Sequence, residues 1–196
     1  ECKGECFLVV YADDFIAGFQ YPWEAERFYE QLRSRMAKFG LELEENKSRI
    51  VESGRYLASL KAKRGESTRL GTFDFLGFTF YCGRTTKGNP WIMPKTSSKK
   101  FRQKVKEIKI WLYNNKEQKL GKLMYMLNVK LVGHYRYYGI SFNSRMISNY
   151  KQQVRELLYK VLNRRSEKKS YTREGFIEMM KYYKLVNPKI YYSLFC

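Results

Sequence analysis

Phe7-Leu8-Val9-Val10-Tyr11-Ala12-Asp13-Asp14-Phe15-Ile16-Ala17-Gly18-Phe19 sets two apolar runs on either side of a carboxylate pair. Cys6 to Tyr11 is short and rich in β-branched and aromatic residues, so it reads as a buried strand. Asp13 and Asp14 interrupt it, and Phe15 to Phe19 resumes the extended pattern. The spacing predicts a hairpin with both acids at its tip. Adjacent carboxylates beside an apolar strand are costly without a counter-charge, and a divalent cation is one source of that charge. A plain turn is the alternative, since Asp is a favoured turn residue.

Outward from this hairpin, Pro22 and Trp23 open a helix. Its apolar positions Ala25, Phe28, Tyr29, Leu32, Met36 and Phe39 follow the 3.6 period, and Gly40 stands where a C-terminal cap belongs. Glu24, Glu26 and Glu30 are expected to decorate its exposed face. Leu41 to Leu43 and Arg49 to Val51 read as two short strands, and residues 53–71 as a loop or weak hairpin. Thr72 to Phe80 alternates as a strand, Gly88-Asn89-Pro90 turns, and Trp91 to Met93 returns. After Pro94 the pattern becomes helical over 98–115, 118–131, 144–164 and 172–184. Candidate N-caps are Ser97 or Ser98, Asn143 or Ser144, and Thr172. The expected fold is α+β: a domain over 1–95 of antiparallel strands with one helix, then an all-helical domain over 96–196.

Charge divides the chain differently. The 196 residues carry 38 Lys and Arg against 19 Asp and Glu, a net charge of +19. Residues 1–50 are net −3, so the remainder holds +22. An acidic head and a basic body suit an enzyme that holds metal ions with carboxylates and phosphates with cations. The 17% aromatic content excludes a disordered basic tail. No apolar run approaches the ~18 residues of a membrane span. The acidic, polar start suggests no secretory leader. Four scattered Cys do not make a disulfide framework, and Cys2-x-x-x-Cys6 lacks partners for zinc. A soluble intracellular protein with a polyanionic partner is expected.

Within the body, Lys99, Arg102, Lys106 and Lys109 share one helix face, while Val105, Ile108 and Leu112 point to the core. Arg136 lies among Tyr135, Tyr137 and Tyr138, which suit either the core or base stacking. Arg164, Arg165, Lys168 and Lys169 form a further cluster. All these cations are candidate RNA-binding residues. His134, the sole histidine, reads as a hydrogen-bonded structural residue rather than a ligand.

Tyr11-Ala12-Asp13-Asp14, in its strand–turn–strand setting, resembles the metal-binding motif of reverse transcriptases. Phe39-Gly-Leu-Glu-Leu-Glu-Glu-Asn-Lys47-Ser-Arg-Ile is similar to the palm motif that follows, and Phe73-Asp-Phe-Leu-Gly-Phe78 to the primer-grip hairpin. Leu127-Asn128, Gly133-His-Tyr-Arg-Tyr-Tyr-Gly139 and Leu162-Asn-Arg-Arg-Ser166 resemble the thumb or maturase domain of bacterial group II intron proteins. The motifs occur in family order and span nearly the whole chain. Val10, Ser48 and His134 depart from common family choices of Arg, Thr and Trp.

The resemblance implies the end of a reverse-transcriptase palm with its primer grip, followed by a helical thumb/maturase domain. It makes Asp13 and Asp14 catalytic ligands of two Mg²⁺ ions and Lys47 a candidate proton donor to pyrophosphate. Tyr11, Ala12, Leu76 and Gly77 would contact primer and template, with Gly77 letting a backbone approach nucleic acid. Asp74 is expected to be structural. The family's third carboxylate lies far upstream of this motif, so the chain is expected to be the C-terminal part of a longer protein and inactive alone. Implied partners are group II intron RNA, an RNA template/DNA primer duplex and dNTP, with a homodimer left open, no membrane, and the bacterial cytoplasm as location. The alternatives are a splicing cofactor without catalysis, a retron-type reverse transcriptase, and a basic ribosomal-style RNA-binding protein.

Overall fold

The computed structural model describes residues 2–44, 48–67, 70–164 and 170–194. In chain order the elements are β1 (Cys6–Tyr11), β2 (Asp14–Phe19), α1 (Pro22–Ala37), α2 (Arg55–Lys63), β3 (Phe73–Phe75), β4 (Phe78–Arg84), β5 (Pro90–Thr96), α3 (Ser98–Asn114), α4 (Leu120–Tyr138), α5 (Ser144–Leu162) and α6 (Arg173–Tyr182). The fold is α+β. β1 and β2 form one sheet, and β3, β4 and β5 form a second in that order. The chain divides into two compact units, residues 1–75 with 81–92, and residues 76–80 with 93–196. Among the described residues no helix is long and apolar enough to cross a membrane.

In the first unit, β1 and β2 pair antiparallel with Tyr11 opposite Asp14 and Phe7 opposite Gly18. Gly18 makes room for the ring across from it: a Cβ there would come within 2.2 Å of Phe7. α1 packs against β2, with the rings of Phe19 and Phe28 5.2 Å apart. The expected buried strand is not buried. Every residue of β1 is exposed, and Phe7 keeps 61% of its surface. A two-stranded ribbon has two faces and two edges, and a single helix on β2 leaves the rest bare.

Glu24 also differs from expectation. It is buried rather than decorating α1, and its Oε1 accepts hydrogen bonds from the backbone N–H groups of Lys3 and Gly4. The segment before β1 folds over the start of α1, so a first-turn carboxylate that helix polarity favours is also closed off from water.

Beyond α1 the expected strands over 41–43 and 49–51 are absent; the described residues there are irregular. Two bonds instead tie the stretch around Arg49 and Glu52 to the residues just before β3. Arg49 Nη2 donates to the Thr72 carbonyl at 2.8 Å, and Gly71 N–H to the Glu52 carbonyl at 3.0 Å. Residues 55–63, read as loop or hairpin, form α2, so this region has two helices rather than one. Tyr56 to Leu60 contains helix-compatible Leu and Ala, and Ala58 is buried. The neighbouring lysines mask that short apolar face in sequence.

In the second unit α3 to α6 enclose one core, centred on Leu112, Leu123, Leu127, Leu131, Tyr135, Val154 and Leu158. Ser97 caps α3, its hydroxyl accepting from Lys100 N–H, and Thr172 caps α6 by accepting from Gly175 N–H. α4 runs to Tyr138, past the expected end at residue 131. An interior glycine such as Gly133 costs about 1 kcal/mol against alanine. Burial of Tyr135 and Tyr138 outweighs that. Gly139 then ends the helix; a Cβ there would meet the carbonyls of Tyr135 and Lys189 at 2.3 and 2.4 Å. Asn143 occupies the N-cap position of α5, but its side chain makes no capping bond. Its buried amide bonds Thr96 N–H, Thr96 Oγ1 and the Tyr138 carbonyl, each at 2.8 Å.

Candidate functional site

The acidic turn is built by hairpin register. Tyr11 and Asp14 form the last pair, which leaves Ala12 and Asp13 as a two-residue loop. Ala12 has φ +53°, a left-handed conformation that costs a residue bearing Cβ. Positive φ at the first loop position alone matches the type II′ family, which suits the twist of a hairpin and prefers glycine there. A type I turn is therefore excluded. Asp13 sits at the tip and Asp14 at the first position of β2, and both are exposed together with Tyr11 and Ala12.

Two adjacent carboxylates fit a share of a Mg²⁺ ligand set, since this ion takes one or two carboxylates with water and phosphate oxygens. No group of three potential ligands able to hold a metal ion occurs among the described residues. Asp74 lies exposed in β3. Lys47 lies outside the described residues.

In the second unit, Leu76 and Gly77 form the tight turn leading into β4, with φ +49° and +79°. Positive φ at both positions belongs to a type I′ turn. Tyr137 Oη donates to the Leu76 carbonyl at 2.9 Å, and Ser97 N–H to the Gly77 carbonyl at 3.0 Å. A Cβ on Gly77 would stand 3.1 Å from Tyr138 Oη. Within the chain, the space left by the absent Cβ is thus bordered by a tyrosine hydroxyl.

The cations of α3 fall on the solvent side. Lys99, Arg102, Lys106 and Lys109 are exposed, while Ile108 and Leu112 are buried opposite them. None of the four makes an ion pair among the described residues. Lys104, half-buried on another face of α3, bonds Glu107 at 2.8 Å and holds that carboxyl below its usual range. Arg136 is exposed on α4. Arg164 donates to Tyr113 Oη at 2.5 Å with its guanidinium 5.6 Å from that ring, so it is held by an aromatic partner. Arg165, Lys168 and Lys169 lie outside the described residues.

The aromatic cluster of α4 divides by helical phase. Tyr135 and Tyr138 are core, whereas Tyr137 stacks on Phe78 at 5.9 Å and keeps about half of its surface exposed. His134 lies 3.7 Å from the Tyr150 ring and 4.7 Å from that of Tyr138. Burial, helped by the charge of Lys104, pushes its pKa down to about 4. It is a neutral structural ring held by stacking.

Two residues to which the sequence reading gave no packing role organise this unit. Asn143 joins three backbone and side-chain groups, as described above. Asn128 clasps the C-terminal segment: its Nδ2 donates to the Lys184 carbonyl at 3.0 Å and its Oδ1 accepts from Val186 N–H at 2.9 Å. An amide set between Leu127 and the other apolar residues of a helix is the available signal, because such a group needs partners.

Residues 98–183 match the family model described as "Group II intron, maturase-specific domain". The matched segment covers α3 to α6 and supports a group II intron maturase. No curated protein and no solved structure matches the chain significantly.

Proposed function

We propose that this chain binds group II intron RNA to assist splicing, and that it supplies part of the active site of an intron-encoded RNA-directed DNA polymerase. The observation that carries the first part is the maturase-domain match over a strongly basic region. Residues 98–183 hold twenty-one Lys and Arg against six Asp and Glu. Cations at such density neutralise phosphates and release counterions, which gives affinity with strong salt dependence. The α3 stripe supplies a row of unpaired charges along one helix, with Arg136 on α4.

The second part rests on Tyr11-Ala12-Asp13-Asp14 in a strained, exposed turn. Backbone strain of this kind clusters where side chains must be aimed. Asp13 and Asp14 would hold Mg²⁺ together with a third carboxylate that the family resemblance places outside this chain. When bound, the ions would activate a primer 3′-hydroxyl and steady the leaving pyrophosphate. Tyr11 and Ala12 would border the primer end at the same turn, and Leu76 and Gly77 would form the primer grip. The reaction adds a dNTP to a DNA primer on an RNA template, which would serve retrohoming of the intron in the bacterial cytoplasm.

The test pairs two readouts. The logarithm of the intron-RNA association constant should fall linearly with log salt, and neutralising Lys99, Arg102, Lys106 and Lys109 together should reduce the slope. A flat salt profile would refute the RNA-binding part. In the protein bearing the upstream carboxylate, Asp13→Ala with Asp14→Ala should abolish cDNA synthesis and leave RNA binding intact; unchanged synthesis refutes the catalytic part. The chain by itself should show no Mg²⁺-dependent primer extension.

A further inference from the structure

α4 has a second face that the core does not use. Tyr125, Val129, Val132 and Gly133 succeed one another along it, and residues 184–187 run beside them, bounding an open groove of about 800 Å³. Asn128 fixes the groove by bonding both sides of Leu185 in that segment. Tyr125 is 71% exposed and Val129 55%, although both belong to a helix with a well-packed core face. Gly133 keeps the floor low: a Cβ there would have nothing within 4 Å. Arg136 and Lys184 border the same groove. Neither α4 nor residues 183–194 contain a single Asp or Glu.

We propose that this groove receives unpaired nucleotides of an RNA strand. Tyr125 and the aliphatic floor take the face of a base, and Arg136 and Lys184 take adjoining phosphates. The inference rests on the RNA-binding reading and adds to it a residue-level site for single strands.

Charge complementarity selects the occupant. Walls with cations and no acids favour a polyanion. The exposed aromatic and aliphatic floor then selects among polyanions. A duplex presents its sugar–phosphate backbone and hides its base faces, so it gains little from an apolar floor. An unstacked base offers a π-face to tyrosine and needs no particular sequence.

Gly133 provides a clean test, because a larger side chain enters open space and also favours the helix. Fluorescence anisotropy would compare a labelled oligouridylate with a blunt RNA duplex of the same length on the full chain. Gly133→Leu and Tyr125→Ala should each weaken oligouridylate binding about tenfold and leave duplex binding unchanged. 4-Thiouridine in the oligonucleotide should cross-link to the tryptic peptide between Lys122 and Lys130, which contains Tyr125.

Unchanged oligouridylate affinity in Gly133→Leu, or equal loss on both probes, overturns the proposal. A protein occupant would give the first of these outcomes. If the wild-type chain binds the duplex and intron RNA but not oligouridylate, the groove fails and the intron-RNA reading stands. If it binds oligouridylate through Tyr125 but no intron RNA, the groove stands and that reading fails.

Discussion

α4 and β1 are both apolar in sequence, and they have opposite fates. α4 buries Leu123, Met124, Leu127, Leu131, His134, Tyr135 and Tyr138, while β1 buries nothing. The helix has α5 and the C-terminal segment to close on, and its own turns satisfy its backbone. The strand has one neighbour, and the single helix that packs on the ribbon lies on β2, so β1 stays bare. Apolar pattern reports a demand for burial; a second surface decides whether the demand is met. The same contrast separates the roles proposed for the two units. The helical unit has a self-contained core carrying its cationic stripe, whereas the acidic turn is mounted on a ribbon with little support.

The largest expected effect is in the helical core. Leu127→Ala should cost about 3 kcal/mol in a urea melt, since Leu127 is fully buried and its neighbours relax only in part. A loss below about 1 kcal/mol would mean that the helical unit is not the stable half.

His134 provides a pH test of the same core. Its folded-state pKa of about 4 lies below the ordinary 6.5, because burial disfavours the charged ring. The unfolded chain therefore takes up the proton first. This contribution is fully present above about pH 6.5, falls as pH drops, and is fully lost below about pH 4. The loss should be on the order of 3 kcal/mol, and His134→Phe should flatten that part of the profile. An unchanged profile in the variant would show that the ring is not desolvated.

The smallest effect should come from β1. Leu8→Lys should change stability by no more than about 0.5 kcal/mol, as for a surface position, despite replacing a core-type residue. A loss comparable with that of Leu127→Ala would erase the contrast, and would mean that another surface covers the ribbon in solution.

Much of the fold was legible because it rests on local rules. Ser97 and Thr172 cap α3 and α6 from the candidate positions, and the Asp13 turn falls between two strands as expected, whereas Thr72 to Phe80, expected as one strand, is broken at Leu76-Gly77 into β3 and β4. Misreadings came where tertiary contacts overrode local signals. The helical period expected over 118–131 stops short of the end of α4, which the burial of Tyr135 and Tyr138 carries to residue 138. Glu24 had every mark of a surface acid until the N-terminal backbone donated to it. α2 was hidden because its apolar face is one short stripe among lysines. For the candidate site, the carboxylate pair and the cationic stripe could be read directly. The α4 groove could not, since one of its walls is a segment more than forty residues away in sequence.

The sequence by itself determined the α+β class, the acidic turn, the basic character of the helical region and the phase of α3 that turns its lysines outward. These depend on residue type and short-range period, which act within a few residues. Only the tertiary structure decided that β1 lies bare, that Glu24 is buried, that His134 is a neutral stacked ring, and that Tyr125 overlooks a groove closed by Asn128. Those outcomes depend on which surface arrives opposite each side chain, and desolvation is set by that neighbour rather than by the residue alone.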